Sequence, residues 1–252
     1  MRMKQRLLKN FRREISLMKE SFLHLVFPPF CPLCETELKH NEQLICENCF
    51  LKINTIESHF CTQCAAPLKK NRKTCDFCKG IDFNFSKVRA FAVFATPLVE
   101  MIHLLKYERK THHAIRLGIL LGNLFLSDAE LFTADVIIPV PLHRTRMRER
   151  GYNQSLLLAR MVSSISHKEL CSDVVLRTKA TKSQTTLNHG EREKNLKNAF
   201  CVTVAERIKD KSVVIIDDVF TTGTTLNEMA GTLIDGGAHS VYGLVLARAL
   251  ST

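Results

Sequence analysis

Residues Val213–Leu226 read VVIIDDVFTTGTTL and decide the fold class of the larger part of the chain. Four apolar residues predict a buried strand, and the residues after Gly223 predict a helix. A strand that leads through a Thr/Gly loop into a helix is typical of α/β folds. We therefore expect the acidic pair Asp217-Asp218 at the carboxyl edge of a sheet, where open α/β folds bind their ligands.

The chemistry of this stretch suits a ribose that carries a 5′-phosphate. Ionised Asp217 and Asp218 only accept hydrogen bonds, which suits a vicinal diol, and they attract Mg²⁺ through water. The loop offers backbone N–H groups and hydroxyls at a helix N-terminus, where a phosphate dianion is favoured. The sequence contains no Gly-Lys pair and no G-x-G-x-x-G, which excludes the common nucleotide loops.

The hydrophobic pattern before and after this stretch alternates between strand and helix periods. Strands are predicted at Val88–Phe94, Asp135–Pro141, Val174–Leu176, Val213–Ile216 and Val241–Ala247. Helices are predicted at Leu98–Tyr107, Ala114–Leu126, Asn153–Ser166 and Thr224–Asp235. This alternation predicts a mostly parallel sheet with helices on both faces.

Eight of the ten cysteines form four C-x-x-C pairs within 48 residues: Cys31, Cys34, Cys46, Cys49, Cys61, Cys64, Cys75 and Cys78. Because no secretory signal precedes them, the pairs indicate metal rather than disulfides. Two pairs complete a tetrahedral thiolate shell, which suits a structural Zn²⁺ because no coordination position stays open. One ribbon per unit is the simplest pairing, a cross-brace is the alternative, and an iron–sulfur cluster is the minor alternative.

Composition and charge set the class of the protein and of its partners. The 252 residues carry a formal net charge of +11, which favours polyanionic partners, and no apolar run is long enough to span a membrane. Residues 1–27 predict a basic amphipathic helix that packs on the protein or docks on an anionic membrane. We predict a cytoplasmic protein with three parts: the helix 1–27, a zinc module 28–85 and an α/β domain 86–252.

The sequence VVIIDDVFTTGTT resembles the phosphoribosyl pyrophosphate fingerprint of type I phosphoribosyltransferases. The resemblance implies that Asp217 and Asp218 hold the ribose as catalytic residues, with Mg²⁺ accompanying the substrate. It implies that the following loop binds the 5′-phosphate through Thr221, Thr222, Gly223, Thr224 and Thr225. In that family a loop after the first long strand binds pyrophosphate, and Pro139–Arg144 occupies this place.

Two further stretches resemble the ComF family of competence-associated proteins. IPVPLHRTRMRERGYNQ (138–154) is similar to its V-P-L-H-x-x-R-x-x-x-R-G-[FY]-N-Q motif, and Arg177–Phe200 is similar to a second motif. The resemblance adds His143, Arg144 and Arg177 as candidate substrate-binding residues. It also places Arg177–Asn198 where a mobile loop closes over such sites.

Three functions are consistent with these patterns. The ComF resemblance implies a phosphoribosyltransferase-like protein that supports DNA uptake. Such a protein would bind single-stranded DNA through basic residues, among them the arginine loop 144–150. It would contact the competence machinery or the membrane face. The alternative is an active phosphoribosyltransferase that displaces pyrophosphate at the anomeric carbon with a base or small metabolite. A third hypothesis is a regulatory protein that senses phosphoribosyl pyrophosphate and binds nucleic acid in response.

Overall fold

The computed structural model describes residues 30–38, 45–69, 72–107, 113–179 and 198–250. The predicted helix of residues 1–27 lies outside the described residues. Residues 180–197 of the predicted mobile loop also lie outside them. The chain divides into two compact units, Met1–Lys52 and Ile53–Thr252. Elements are numbered below in chain order within the described residues.

The smaller unit contains the first two C-x-x-C pairs. After Cys31 the chain makes a tight turn in which Glu35 N–H donates to the Cys31 carbonyl at 2.8 Å. In the second pair, Cys46 is the residue before a short helix, α1 (Glu47–Phe50), and Cys49 lies within that helix. Turns of this kind bring two sulfur atoms to one side of the chain, as metal binding requires.

The larger unit is an α/β fold. Its helices are α2 (Leu98–Tyr107), α3 (His113–Ser127), α4 (Ala129–Phe132), α5 (Arg144–Arg150), α6 (Gln154–Ser166) and α7 (Thr224–Asp235). Its strands are β1 (Lys87–Val93), β2 (Val136–Pro139), β3 (Glu169–Leu170), β4 (Val175–Arg177), β5 (Phe200–Val202), β6 (Ser212–Phe220) and β7 (Ser240–Arg248). Five strands form a parallel sheet in the order β1-β7-β6-β2-β3, which confirms the predicted fold class. Strands β4 and β5 pair antiparallel in a separate small sheet.

The sheet is covered on both faces, as its apolar strands require. Alternate residues of β6, such as Val213 and Ile215, belong to one hydrophobic core with α7. Val214 and Ile216 point to the opposite face and are equally buried. Continuous apolar strands of this kind are typical of parallel sheets that are buried on both sides.

The second C-x-x-C unit is part of the larger unit. Cys61, Cys64 and Cys78 belong to the same core as the sheet residues. The segment before them extends the sheet at β1, because Ile56 N–H donates to the Phe91 carbonyl at 2.9 Å and Val93 N–H donates to the Asn54 carbonyl at 2.9 Å. The exposed edge of β1 is thereby covered by the chain that leads into the cysteine unit.

The short elements α4, β3 and β5 were not predicted, and β4 pairs outside the parallel sheet. Two further elements differ from the sequence prediction in type or length. The stretch Arg144–Arg150, predicted as a loop, forms helix α5, because the His143 side chain accepts the Thr145 N–H at the helix start and Gly151 ends the helix at φ 82°. Strand β6 does not end at Ile216 but continues to Phe220, because β7 pairs alongside it as far as Arg248.

Candidate functional site

The acidic pair lies inside strand β6 near its carboxyl end. Asp217 is 8% exposed and Asp218 is 5% exposed. Asp217 Oδ1 accepts hydrogen bonds from Ser155 Oγ at 2.9 Å and from the Asp218 backbone N–H at 2.9 Å. Because Ser155 lies in the first turn of α6, this contact fixes the helix and the carboxylate relative to each other.

Lys106 joins the acidic pair from the last turn of α2. Its Nζ forms an ion pair with Asp218 Oδ2, and the lysine side chain is 23% exposed. The end of α2 is held in place by Tyr152, whose hydroxyl donates to the Leu105 carbonyl. The sequence motif did not point to Lys106, since it lies more than 100 positions before Asp218.

The two carboxyl groups titrate in opposite directions. Burial and the negative charge of Asp218 raise the pKa of Asp217 to about 7. Burial also opposes ionisation of Asp218, but the Lys106 ammonium outweighs it and lowers the pKa of that carboxyl below its usual range. Near neutral pH the site therefore holds one firmly ionised carboxylate next to one that takes up a proton readily.

The predicted phosphate loop follows β6 directly and ends at the first turn of α7. Gly223 adopts the left-handed conformation at φ 83° and is the residue before the helix. Its backbone lies on the Phe220 ring, because a Cβ atom added there would meet Phe220 Cζ at 2.5 Å. The hydroxyls of Thr222 and Thr224 lie 2.8 Å apart, and both residues are partly exposed, as is Thr225. Since glycine has no side chain to cap α7, the first N–H groups of the helix suit an anion.

Arg248 supports the start of this loop from the end of β7. The residue is 2% exposed, and its Nη1 donates to the Thr221 carbonyl at 2.8 Å. Its guanidinium also lies over the rings of Phe220, at 5.0 Å from the centroid, and Phe77, at 5.7 Å. Phe77 lies between the ligand cysteines of the second unit, so Arg248 connects the phosphate loop to that unit.

The predicted pyrophosphate loop begins next to the acidic pair. Val140 N–H donates to the carbonyl of Ile216, the residue before Asp217, at 3.0 Å, and Asn153 Nδ2 donates to the Val140 carbonyl at 3.0 Å. His143 lies near the end of this loop, where it is partly exposed and caps α5. Both candidate loops therefore start from the same edge of the sheet.

The candidate arginines divide between an exposed group on α5 and Arg177, which is partly exposed. Arg144, Arg146 and Arg148 are exposed on α5. Arg177 ends β4, is attracted electrostatically by Asp217, and has its pKa lowered by burial despite that attraction. Arg177 is thus near enough to Asp217 for their charges to attract, while its guanidinium lies over the Phe200 ring at 5.6 Å from the centroid, and the α5 arginines face solvent.

The eight cysteines form two groups of four. Cys31, Cys34, Cys46 and Cys49 make one group, and Cys61, Cys64, Cys75 and Cys78 make the other. Within each group the sulfur atoms all lie within 4.8 Å of one another, with Cys34 and Cys46 at 3.4 Å and Cys64 and Cys75 at 3.6 Å. A tetrahedral zinc with bonds of about 2.3 Å needs sulfur atoms roughly 3.8 Å apart. Both groups fit a structural zinc, and the grouping is one ribbon per unit, not a cross-brace.

Comparison with known proteins covers nearly the whole chain. The double zinc ribbon domain matches residues 22–79, and the phosphoribosyl transferase domain matches residues 155–252. DNA utilization protein YhgH of Escherichia coli (strain K12) is 35% identical over 229 residues, which are 90% of this chain and 100% of that protein. Competence protein F of Haemophilus influenzae is 31% identical over 224 residues, 87% of this chain and 96% of that protein.

A solved structure described as the allosteric regulatory enzyme of purine biosynthesis aligns at 19% identity with a TM-score of 0.40, covering 57% of this chain and 30% of that one. Among the described residues, no helix combines the length and apolarity needed to cross a bilayer.

Proposed function

Because this chain belongs to the family of DNA utilization protein YhgH and competence protein F, we propose that it binds phosphoribosyl pyrophosphate and single-stranded DNA in support of DNA uptake. The observation that carries the proposal is the buried acidic pair of β6, which leads directly into the Gly223 loop at the start of α7. We further propose a cytoplasmic location, where thiols stay reduced and available to zinc.

The ligand's charges match the groups at the sheet edge. The acidic pair suits the ribose hydroxyls, and the loop Thr221–Thr225 suits the 5′-phosphate. The pyrophosphate group carries further negative charge, which Arg177 and the neighbouring Lys106 offset. Asp217 and Asp218 also have the hard oxygen donors that Mg²⁺ prefers, so the donor set fits this ion.

Single-stranded DNA would bind through the exposed arginines of α5. Arg144 ends the predicted pyrophosphate loop and begins α5, and Arg146 and Arg148 follow it on the helix. Arg146 also forms an ion pair with Glu149 at 3.2 Å. Each arginine that contacts a phosphate releases counterions, so binding to a single strand weakens with salt by a slope of about 0.7 per contact. The protein has no Trp and three Tyr, so we expect this electrostatic part to dominate over base stacking.

The experiment measures both ligands with two sets of variants. Asp217→Ala/Asp218→Ala should abolish binding of phosphoribosyl pyrophosphate, whereas Asp235→Ala, an exposed acid at the end of α7, should not. Arg146→Ala/Arg148→Ala should lower the salt slope of single-stranded DNA binding by about 1.4. The control Lys209→Ala, on the exposed surface, should leave the slope unchanged. The proposal would be refuted if the acidic-pair variant still bound phosphoribosyl pyrophosphate and the α5 variant kept the wild-type salt slope for single-stranded DNA.

The second candidate function is an active phosphoribosyltransferase, which the convergence of the acidic pair, the phosphate loop and Arg177 favours. Here the residues position the ribose and hold its charge without a covalent nucleophile. Bound Mg²⁺ would neutralise the leaving pyrophosphate. Release of pyrophosphate from phosphoribosyl pyrophosphate with a candidate base would establish turnover. Tight binding without release for any base tested would leave a binding protein.

A further inference from the structure

Lys106 is a partly buried cation in direct contact with Asp218 of the acidic pair, on an element that none of the sequence motifs includes. Lys106 lies in the last turn of α2, whose sequence LVEMIHLLKY is otherwise largely apolar. Its partner, the Asp218 side chain, is 7% exposed, so water screens this ion pair weakly. A buried charge without a partner is costly, and Lys106 provides the partner.

Lys106 Nζ contacts a carboxylate oxygen that a divalent cation bound to the acidic pair could also use. Asp217 Oδ1 already accepts two hydrogen bonds, from Ser155 and from the Asp218 backbone. Asp218 Oδ2 is the oxygen that Lys106 contacts. An ammonium group and a hydrated Mg²⁺ both seek a carboxylate oxygen, and two cations at one oxygen repel each other.

We propose that Lys106 is a built-in counter-cation of the acidic pair, which competes with the divalent cation for Asp218 Oδ2 and lowers the metal requirement for ligand binding. Lys106 is a positioning residue: its contact with Asp218 Oδ2 holds that side chain in place, so that the polyanionic ligand meets a site whose negative charge is already partly offset. Arg150 and Arg177 add positive potential at longer range. The part that concerns the ligand rests on the proposed function, whereas the competition with a metal does not.

The first test measures metal binding to the free, zinc-loaded protein, with Mn²⁺ as the probe and electron paramagnetic resonance as the readout. Lys106→Met should bind Mn²⁺ at least about tenfold more tightly than the wild type, because the competing charge is gone. Lys106→Arg should restore the wild-type affinity, and Lys106→Met/Asp218→Asn should lose the gain. The exposed-surface variant Lys209→Met controls for net charge.

Folding of each variant is checked by zinc content and melting temperature. If Lys106→Met does not fold, Lys106→Gln retains a neutral donor to Asp218 and should show the same gain in Mn²⁺ affinity. Equal Mn²⁺ affinity of the folded neutral variants and the wild type would overturn the proposal.

The second test measures phosphoribosyl pyrophosphate binding by calorimetry, with Mg²⁺ and with a magnesium chelator. The wild type should lose only a few-fold in affinity when Mg²⁺ is removed, and Lys106→Met should lose about tenfold or more. The same Mg²⁺ dependence in both proteins would refute the role of Lys106 and leave the proposed function intact. No binding by either protein in either condition would refute the proposed function, while the Mn²⁺ result would still decide the competition.

Discussion

Replacing Gly223 with alanine tests whether the phosphate loop depends on a close backbone contact with Phe220. At φ 83° an alanine costs about 1–2 kcal/mol more than glycine. Its Cβ would also lie 2.5 Å from Phe220 Cζ, well inside ordinary contact, and this ring is buried and held between Arg248 and the core. Overpacking of this kind costs about 1–3 kcal/mol, so the total is about 2–5 kcal/mol.

Gly80→Ala is the matched control, because Gly80 has φ 82° but no atom within 4 Å of the added Cβ. It should cost only the conformational part, about 1–2 kcal/mol. Urea unfolding followed by circular dichroism gives both values, and calorimetry with ribose 5-phosphate reports the loop itself. We expect Gly223→Ala to lose more stability than Gly80→Ala and to lose the ligand. Equal destabilisation of the two variants, with ligand binding retained, would refute the close-contact argument.

Three other perturbations test the site. Arg248→Met removes the donor to the partly buried Thr221 carbonyl, so we expect the free energy of unfolding in urea to fall by about 1–3 kcal/mol and ribose 5-phosphate binding to weaken. Arg248→Lys should recover part of both losses. Because the pKa of Asp217 is raised to about 7, the folded state holds a proton that the unfolded chain releases above about pH 4. The free energy of unfolding should therefore fall as the pH rises from about 4 to about 7. Asp217→Asn should reduce this fall, which melting temperatures at pH 5 and 8 will show. Removing zinc with a strong chelator should release two ions per chain in a colorimetric assay and lower the melting temperature of the larger unit, and an unchanged melting temperature would contradict the shared core.

Local patterns predicted much of the fold and the core of the site. The helix Thr224–Asp235 begins and ends where the sequence indicates, because Gly223 and Gly236 mark its ends chemically. The two cysteine groups follow from spacing alone, since a C-x-x-C turn fixes two ligands at once. These features depend on residues that are close in the sequence, which is the range that periodicity and motif reading cover.

The residues that contact the acidic pair could not be predicted from local sequence patterns. Ser155 lies 62 positions before Asp217, and Lys106 lies on a helix whose pattern says only that one face is apolar. A contact over such separations is set by the order of strands in the sheet, which the sequence pattern does not contain. One signal was available: Arg248 ends an otherwise apolar strand, and in a parallel sheet that end is the ligand edge.

The error at Arg144–Arg150 has a different physical cause. Charged residues without an apolar face gave no helical period, so the stretch was taken for a loop. Arg, Met and Glu are nevertheless good helix formers, and the caps at His143 and Gly151 complete the short helix. The helix places Arg144 and Arg148, which are four residues apart, on one face and Arg146 on the opposite face.

The second zinc group also bears on the phosphate site, although it has no open coordination position for chemistry. A metal at Cys75 and Cys78 fixes the turn that carries Phe77, and the Phe77 ring lies against the Arg248 guanidinium. Arg248 in turn donates to the carbonyl of Thr221, the first residue of the phosphate loop. One link is a hydrogen bond of 2.8 Å and the other a guanidinium–ring contact at 5.7 Å from the centroid, so a change in the metal site could reach the loop through two side chains. On this argument, loss of the metal from the second cysteine group should weaken ligand binding at the proposed phosphate loop, through packing rather than through coordination.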